Sequence, residues 1–217
     1  MADVLSIAAS MVARELEMTS MRLQKLLYYA HGCHLATHGT PLFSDRIEAW
    51  SNGPVVRTVF SEHRGWKTLR HPWPGTGRAG AADALDQHEK DTLETVQQAL
   101  ADFSADELVE CAHGEAPWRD ARGELADDAW SNVAIPDESI RGFFTAALMS
   151  RNEPSQDEFG AALLSLYCEY AARRAFMPPV FRDADELDEW HRQLDDAPEH
   201  LDGLRSFMNA PSVFDPA

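Results

Sequence analysis

The stretch from Thr19 to Phe60 constrains the chain most, because strong folding signals follow one another there at close spacing. Leu23, Leu26, Leu27, Ala30 and His34 recur at helical intervals, and Thr19 or Ser20 can cap the first turn of that helix. Gly39 ends it. A short extended piece follows, with Phe43, Ile47, Ala49 and Trp50 as its apolar members. Asn52, Gly53 and Pro54 then turn the chain into a second helix, in which Pro54 takes a first-turn position where its missing N–H has no partner to lose. Gln24 and Lys25 share the first helix with the apolar set. They are expected outward or along the edge of the core, holding the loop around Asn52 and Gly53.

On either side of this stretch the pattern stays helical. Asp3 to Leu16 reads as an amphipathic helix with Val4, Leu5, Ala8, Val12 and Leu16 on its packing side. Residues 65–84 collect Pro72, Pro74, Gly75, Gly77 and Gly80 around Trp66 and Trp73, which makes a loop. Large aromatics usually find burial, so the two tryptophans are expected to pin that loop to the core; the alternative is that they meet a partner. Helical periodicity returns from Asp86 to Phe103, and Ser104 with Glu107 has the capping-box spacing of a new helix through Leu108, Val109 and Ala112. Another helix starts near Asp137, with Ile140, Phe143, Phe144 and Ala147 facing inward. From Ser155 to Met177 the pattern gives a long helix stopped by Pro178 and Pro179, and Asp183 to Asp202 carries nine acidic residues against the single base Arg192. The expected fold is mainly α: a compact helical domain over residues 1–150 with at most a small β-ribbon, and a helical, acidic C-terminal extension over residues 151–217.

With a formal charge of −17 and no cluster of Lys and Arg, direct nucleic-acid binding is disfavoured, as is adhesion to an anionic membrane. No segment has the length and apolarity of a membrane span or the layout of a secretory signal, so the cytoplasm is the expected location. No cofactor is implied. Cys33, Cys111 and Cys168 lack metal-ligand spacing. His31, His34 and His38, at i, i+3 and i+7, are the one arrangement that could share a metal, yet no fourth ligand or recognised pattern accompanies them. His113 and Glu115 could act as an acid–base pair, but nothing supplies a nucleophile or a phosphate-cradling loop; His113 and Trp118 more simply fix one helix end against the next.

The runs Leu23-Gln24-Lys25-Leu26-Leu27-Tyr28-Tyr29-Ala30, Pro41-Leu42-Phe43, Glu48-Ala49-Trp50 and Gly53-Pro54-Val55, in that order, resemble the signature of the Panacea domain family, the SocA-like and GepA-like phage-associated antitoxins. His113 followed by Pro117-Trp118 resembles a second element of the same family, so the likeness covers about two thirds of the chain. The resemblance implies an antitoxin rather than an enzyme, with a cognate protein toxin as partner. It also singles out Leu23, Gln24, Lys25, Leu26, Tyr28, Ala49, Trp50, Gly53, Pro54, Val55, His113, Pro117 and Trp118 as family-motif residues, either scaffold or the mouth of a groove. Because toxins in the family differ widely, scaffold is the preferred role. Candidate toxin contacts are Trp66, Trp73, Asp185, Glu186, Glu189 and Trp190, an aromatic and acidic set that suits a cationic partner. The alternatives are a proteolytic adaptor that delivers a toxin to an AAA+ protease, a role also attributed within the family, and a metal-dependent enzyme at the histidine helix. A DNA-binding autorepressor is the weakest, for want of a basic recognition helix.

Overall fold

The computed structural model describes residues 2–72, 85–126 and 128–149. Trp73, the expected helix from Ser155 and the acidic stretch with Asp185, Glu186, Glu189 and Trp190 lie outside them. The described residues all belong to the first of two compact units, Met1–Arg173 and Arg174–Ala217. They form α1 (Val4–Ala13), β1 (Met18–Thr19), α2 (Ser20–His38), β2 (Ile47–Trp50), β3 (Gly53–Val56), α3 (Arg57–His63), β4 (Thr68–Leu69), α4 (Gln87–Ala99), α5 (Ala105–Gly114), α6 (Ala116–Arg122), β5 (Ala134–Ile135) and α7 (Asp137–Met149). The fold is mainly α with small antiparallel β elements, as expected.

Helix α2 is the axis of the fold. Thr19 Oγ1 accepts the Arg22 N–H at 3.1 Å to start it, and Gly39, in the left-handed region at φ 71°, returns its N–H to the Leu35 carbonyl to stop it. Helices α7 and α4, strand β3 and helix α5 are its main neighbours. Every residue from Leu23 to Leu35 is buried as a result. This corrects the expectation that Gln24 and Lys25 sit outward: the one-sided reading assumes a helix with a solvent face, and α2 is wrapped on all sides.

Pro54 also departs from expectation. It lies in β3, paired with Ala49, and α3 begins only at Arg57. Strands β2 and β3 form a hairpin in the register Ile47↔Val56 to Trp50↔Gly53, turned through Ser51 and Asn52, with Gly53 at φ 89°. Strand β5 pairs with the other side of β2, so β3 is an edge of this three-stranded sheet. An edge strand tolerates a residue without an N–H as readily as a helix start does. The β-branched Val55 and Val56 beside Pro54 suit the pleated sheet.

The cap read from the sequence at Ser104 is present, and α4 carries a second of the same kind. Asp86 with Glu89 and Ser104 with Glu107 each form a reciprocal capping box at the start of α4 and α5. Arg22 ties the start of α2 to the end of α4 through the carbonyls of Phe103 (2.6 Å) and Leu100 (3.0 Å), and Gln97 donates to the Met11 carbonyl at the end of α1. Helix α1 closes at Ala13, so Leu16 misses its packing side and is 98% exposed, while Met18 enters the core through the β1–β4 pairing. Trp66 is half exposed rather than buried against the core.

Helices α2 and α7 pack through Gly32, where an added Cβ would meet the Phe144 ring at 2.5 Å. Alanine is intrinsically better than glycine inside a helix, yet overpacking costs more here. Gly32→Ala is therefore expected to lower unfolding stability by about 1–3 kcal/mol in urea titrations, and Phe144→Leu in the same chain is expected to recover part of the loss.

Candidate functional site

The family-motif residues converge where one turn of α2 meets the junction of α5 and α6. Glu115 is that junction. Its backbone is extended (φ −83°, ψ 138°), closing α5 and opening α6, and its side chain is 1% exposed. The Tyr28 hydroxyl donates to Glu115 Oε2 at 2.6 Å and the Tyr29 hydroxyl to Oε1 at 2.8 Å, so each carboxyl oxygen has a partner. Both rings meet Phe144 edge-on, with centroids at 5.6 and 6.1 Å.

Lys25, one turn before Tyr28 and Tyr29, is fully enclosed. Its Nζ donates to the Pro54 carbonyl at 3.0 Å, and a Cβ at position 53 would lie 2.8 Å from its Cε and Nζ. Glycine at 53 thus serves twice, for the positive φ and for the room the ammonium needs. Burial pushes the Lys25 pKa down to about 7 against the pull of Glu115, and pushes Glu115 up to about 7 against its tyrosine hydrogen bonds and Lys25. Burial and the same carboxylate hold both tyrosines well above the usual phenol range.

Gln24 holds the other end of the hairpin. Its Oε1 accepts the Val56 N–H at 2.8 Å, which fixes the side-chain N–H as donor to His63 Nε2 at 2.9 Å. The remaining motif residues continue the brace. Leu23, Leu26, Ala49 and Val55 are buried. Trp118 Nε1 donates to the Trp50 carbonyl at 2.9 Å, its ring stacks on His113 at 4.1 Å, and the Arg122 guanidinium lies over it at 4.9 Å. Pro117 sits in the first turn of α6, a helix the sequence reading did not separate. Glu48, fully buried, accepts the Trp50 indole N–H at 2.8 Å and pairs with Arg46 at 2.6 Å.

Of the histidines of α2, His34 and His38 lie with ring centroids 4.5 Å apart and His38 lies 4.8 Å from His88, while His31 is engaged elsewhere. His31 Nε2 donates to Asp137 Oδ1 at 3.0 Å, at the start of α7. Thr92 gives its hydroxyl proton to the His88 carbonyl, so His34 Nδ1 is the donor to Thr92 Oγ1 at 3.1 Å. Burial, then neighbouring His38, hold His34 down to about 4. Among the described residues no group of His, Cys, Asp and Glu is placed to hold a metal ion, and no helix is long and apolar enough to cross a membrane.

Two partners in this site were not legible in the sequence. Glu115 belongs with Tyr28 and Tyr29 rather than with His113, and Arg122 braces Trp118 and the Ala49 carbonyl. The Glu115–tyrosine and Arg122–Ala49 bonds join positions 70 or more residues apart, where spacing carries no signal. Chemically the arrangement is a closed polar lock, with its donors and acceptors directed at one another and at backbone rather than at an opening.

A profile of the SocA-like antitoxin Panacea domain matches residues 23–119, from the start of this lock on α2 to one residue past Trp118. Antitoxin SocA of Caulobacter vibrioides (strain NA1000 / CB15N) is 32% identical over 154 residues, which span 65% of this chain and 80% of that protein. The chain belongs to the SocA-like Panacea family. No solved structure matches it significantly. What the Panacea signature encodes in this member is therefore a hairpin, two helix ends and a central helix held together by buried hydrogen bonds.

The two ionisable groups of the lock make stability depend on pH in opposite senses. Glu115, raised to about 7 from 4.5, contributes fully below about 4.5 and loses that contribution as pH rises through 7. Lys25, lowered to about 7 from 10.5, contributes fully above about 10.5 and loses it as pH falls through 7. Both contributions are thus spent near neutrality. The double variant Lys25→Met/Glu115→Gln is expected to gain most on the parent chain near pH 7 and less toward pH 4.5 or 10, read as the difference in urea midpoint across that range. Glu115→Ala alone, which leaves both tyrosine hydroxyls without their partner and removes the carboxylate that offsets the burial of Lys25, is expected to cost about 3–5 kcal/mol.

Proposed function

We propose that this antitoxin-family chain works in the cytoplasm and neutralises a cognate protein toxin by direct contact, as a preformed docking body. The observation that carries the reading is the enclosure of the family's polar motif residues. Lys25, Gln24, Tyr28 and Glu115 are buried and directed at backbone and at each other, so their work is to hold a shape, and recognition falls to the outer surface. A stable protein interface takes on the order of 20 residues a side, which a domain of this size can present. The charge of −17 would speed encounter with a cationic toxin. Among the candidate contacts, Trp66 is half exposed, and Asp185, Glu186, Glu189 and Trp190 form an acidic stretch with an aromatic anchor along the sequence.

The test is inhibition with purified components. A growth-inhibiting protein encoded beside this chain is expected to lose its activity on mixing with one equivalent of the purified chain, with no protease present. Rescue in cells that disappears when an AAA+ protease is deleted, together with no inhibition in the purified mixture, would replace direct neutralisation by the adaptor role.

A further inference from the structure

An unusual amount of apolar surface is exposed between α6 and β5. Among the described residues, five large hydrophobic side chains are exposed, and three of them, Leu125, Trp130 and Val133, lie in this one connection. Trp130 is 77% exposed, although large aromatics are ordinarily well buried. The backbone beneath it is fixed. Arg122 Nη2 donates to the carbonyls of both Ala126 (2.5 Å) and Ala129 (2.8 Å), and its Nη1 donates to Ala49 on β2. One buried guanidinium therefore gathers the residues next to Leu125 and Trp130 around a single nitrogen. Beyond Trp130, Ser131 is buried and its hydroxyl accepts the Val133 N–H, while the Val133 carbonyl accepts the Ala49 N–H at 2.8 Å.

Along the connection itself the charge is acidic. Residues 123–140 contain five carboxylates and no Lys or Arg, and Glu124, Asp128, Asp137 and Glu138 are exposed. Arg122, just before this run, is turned inward onto carbonyls. A second copy of the chain would bring like charge against like charge here, so self-association is disfavoured. A basic partner is favoured.

We propose that the connection carrying Leu125, Trp130 and Val133 is the face that docks the toxin, and that the toxin offers it a basic surface with an apolar slot for the Trp130 indole. The inference rests on direct neutralisation. A tryptophan on an already ordered backbone loses little conformational freedom on docking, and such residues dominate binding energy at interfaces. The surrounding carboxylates supply the polar rim and the sign of the partner.

The probe is the purified, catalytically inactivated product of the toxin gene beside this chain, titrated calorimetrically with the full-length protein and its variants. Trp130→Ala is expected to weaken Kd by at least about 10-fold. Its melting temperature should stay that of the parent, since the side chain is exposed. Glu124→Lys/Asp128→Lys is expected to weaken binding and to flatten its dependence on salt. Leu16→Ser, at an equally exposed apolar residue elsewhere, is expected to leave Kd within about 2-fold. Parent-like binding by Trp130→Ala and by the charge-reversed variant would overturn this face while leaving direct neutralisation standing. No binding by the parent chain would overturn both. A parent dimer that Trp130→Ala converts to monomer, with toxin binding unchanged, would assign the face to a second copy and overturn the proposal.

Discussion

The carboxylate of Glu115 is the point on which the described structure depends. A charged or neutral carboxyl enclosed in apolar surroundings is costly unless its oxygens are bonded, and here both are bonded by successive tyrosines of α2. That pairing fixes the rotation of α2 about its axis and the angle at which α5 passes into α6. The lysine one turn earlier then faces the Pro54 carbonyl, which draws the hairpin onto the same helix. Helix, hairpin and helix junction are thereby set by side-chain hydrogen bonds that reach across 29 and 86–87 residues of sequence. The apolar core around α2 supplies the driving force, and these polar contacts select one arrangement of it.

The division between interior and surface bears on function. A polar network that is satisfied internally resists rearrangement, because any opening exposes several unpaired groups at once. Such a body suits recognition by a fixed shape. The outer features that differ from an ordinary globular surface are the exposed aromatics, Trp66 and Trp130, on a strongly acidic chain.

The sequence carries the local determinants of the fold legibly and the long-range ones not at all. The caps at Thr19 and Ser104 and the stop at Gly39 are written within four or five residues and appear in the structure as the spacing requires. Pro54 was ambiguous because its rigid φ and missing N–H fit a helix start and an edge strand alike, and only pairing with Ala49 settles the choice. Gln24 and Lys25 read as outward because a polar residue on a patterned helix normally marks its wet side. Enclosure of α2 by four neighbouring elements removes that side. The partnership of Glu115 with two tyrosines needed the fold itself. Trp130 carries no signal in the sequence, since a single tryptophan between small residues has no pattern, and its exposure follows from how Arg122 shapes the backbone under it.

The tight fit between the backbone at 53 and the lysine at 25 ties two distant positions into one inheritance. No lineage can place a methyl group at the first while the ammonium at the second stays where it is, so the lysine holds the glycine in place, whereas the lysine can change with the glycine kept. Homologues that keep the lysine should consequently keep the glycine as well, a one-way linkage that a comparison of many family members can read without any assay.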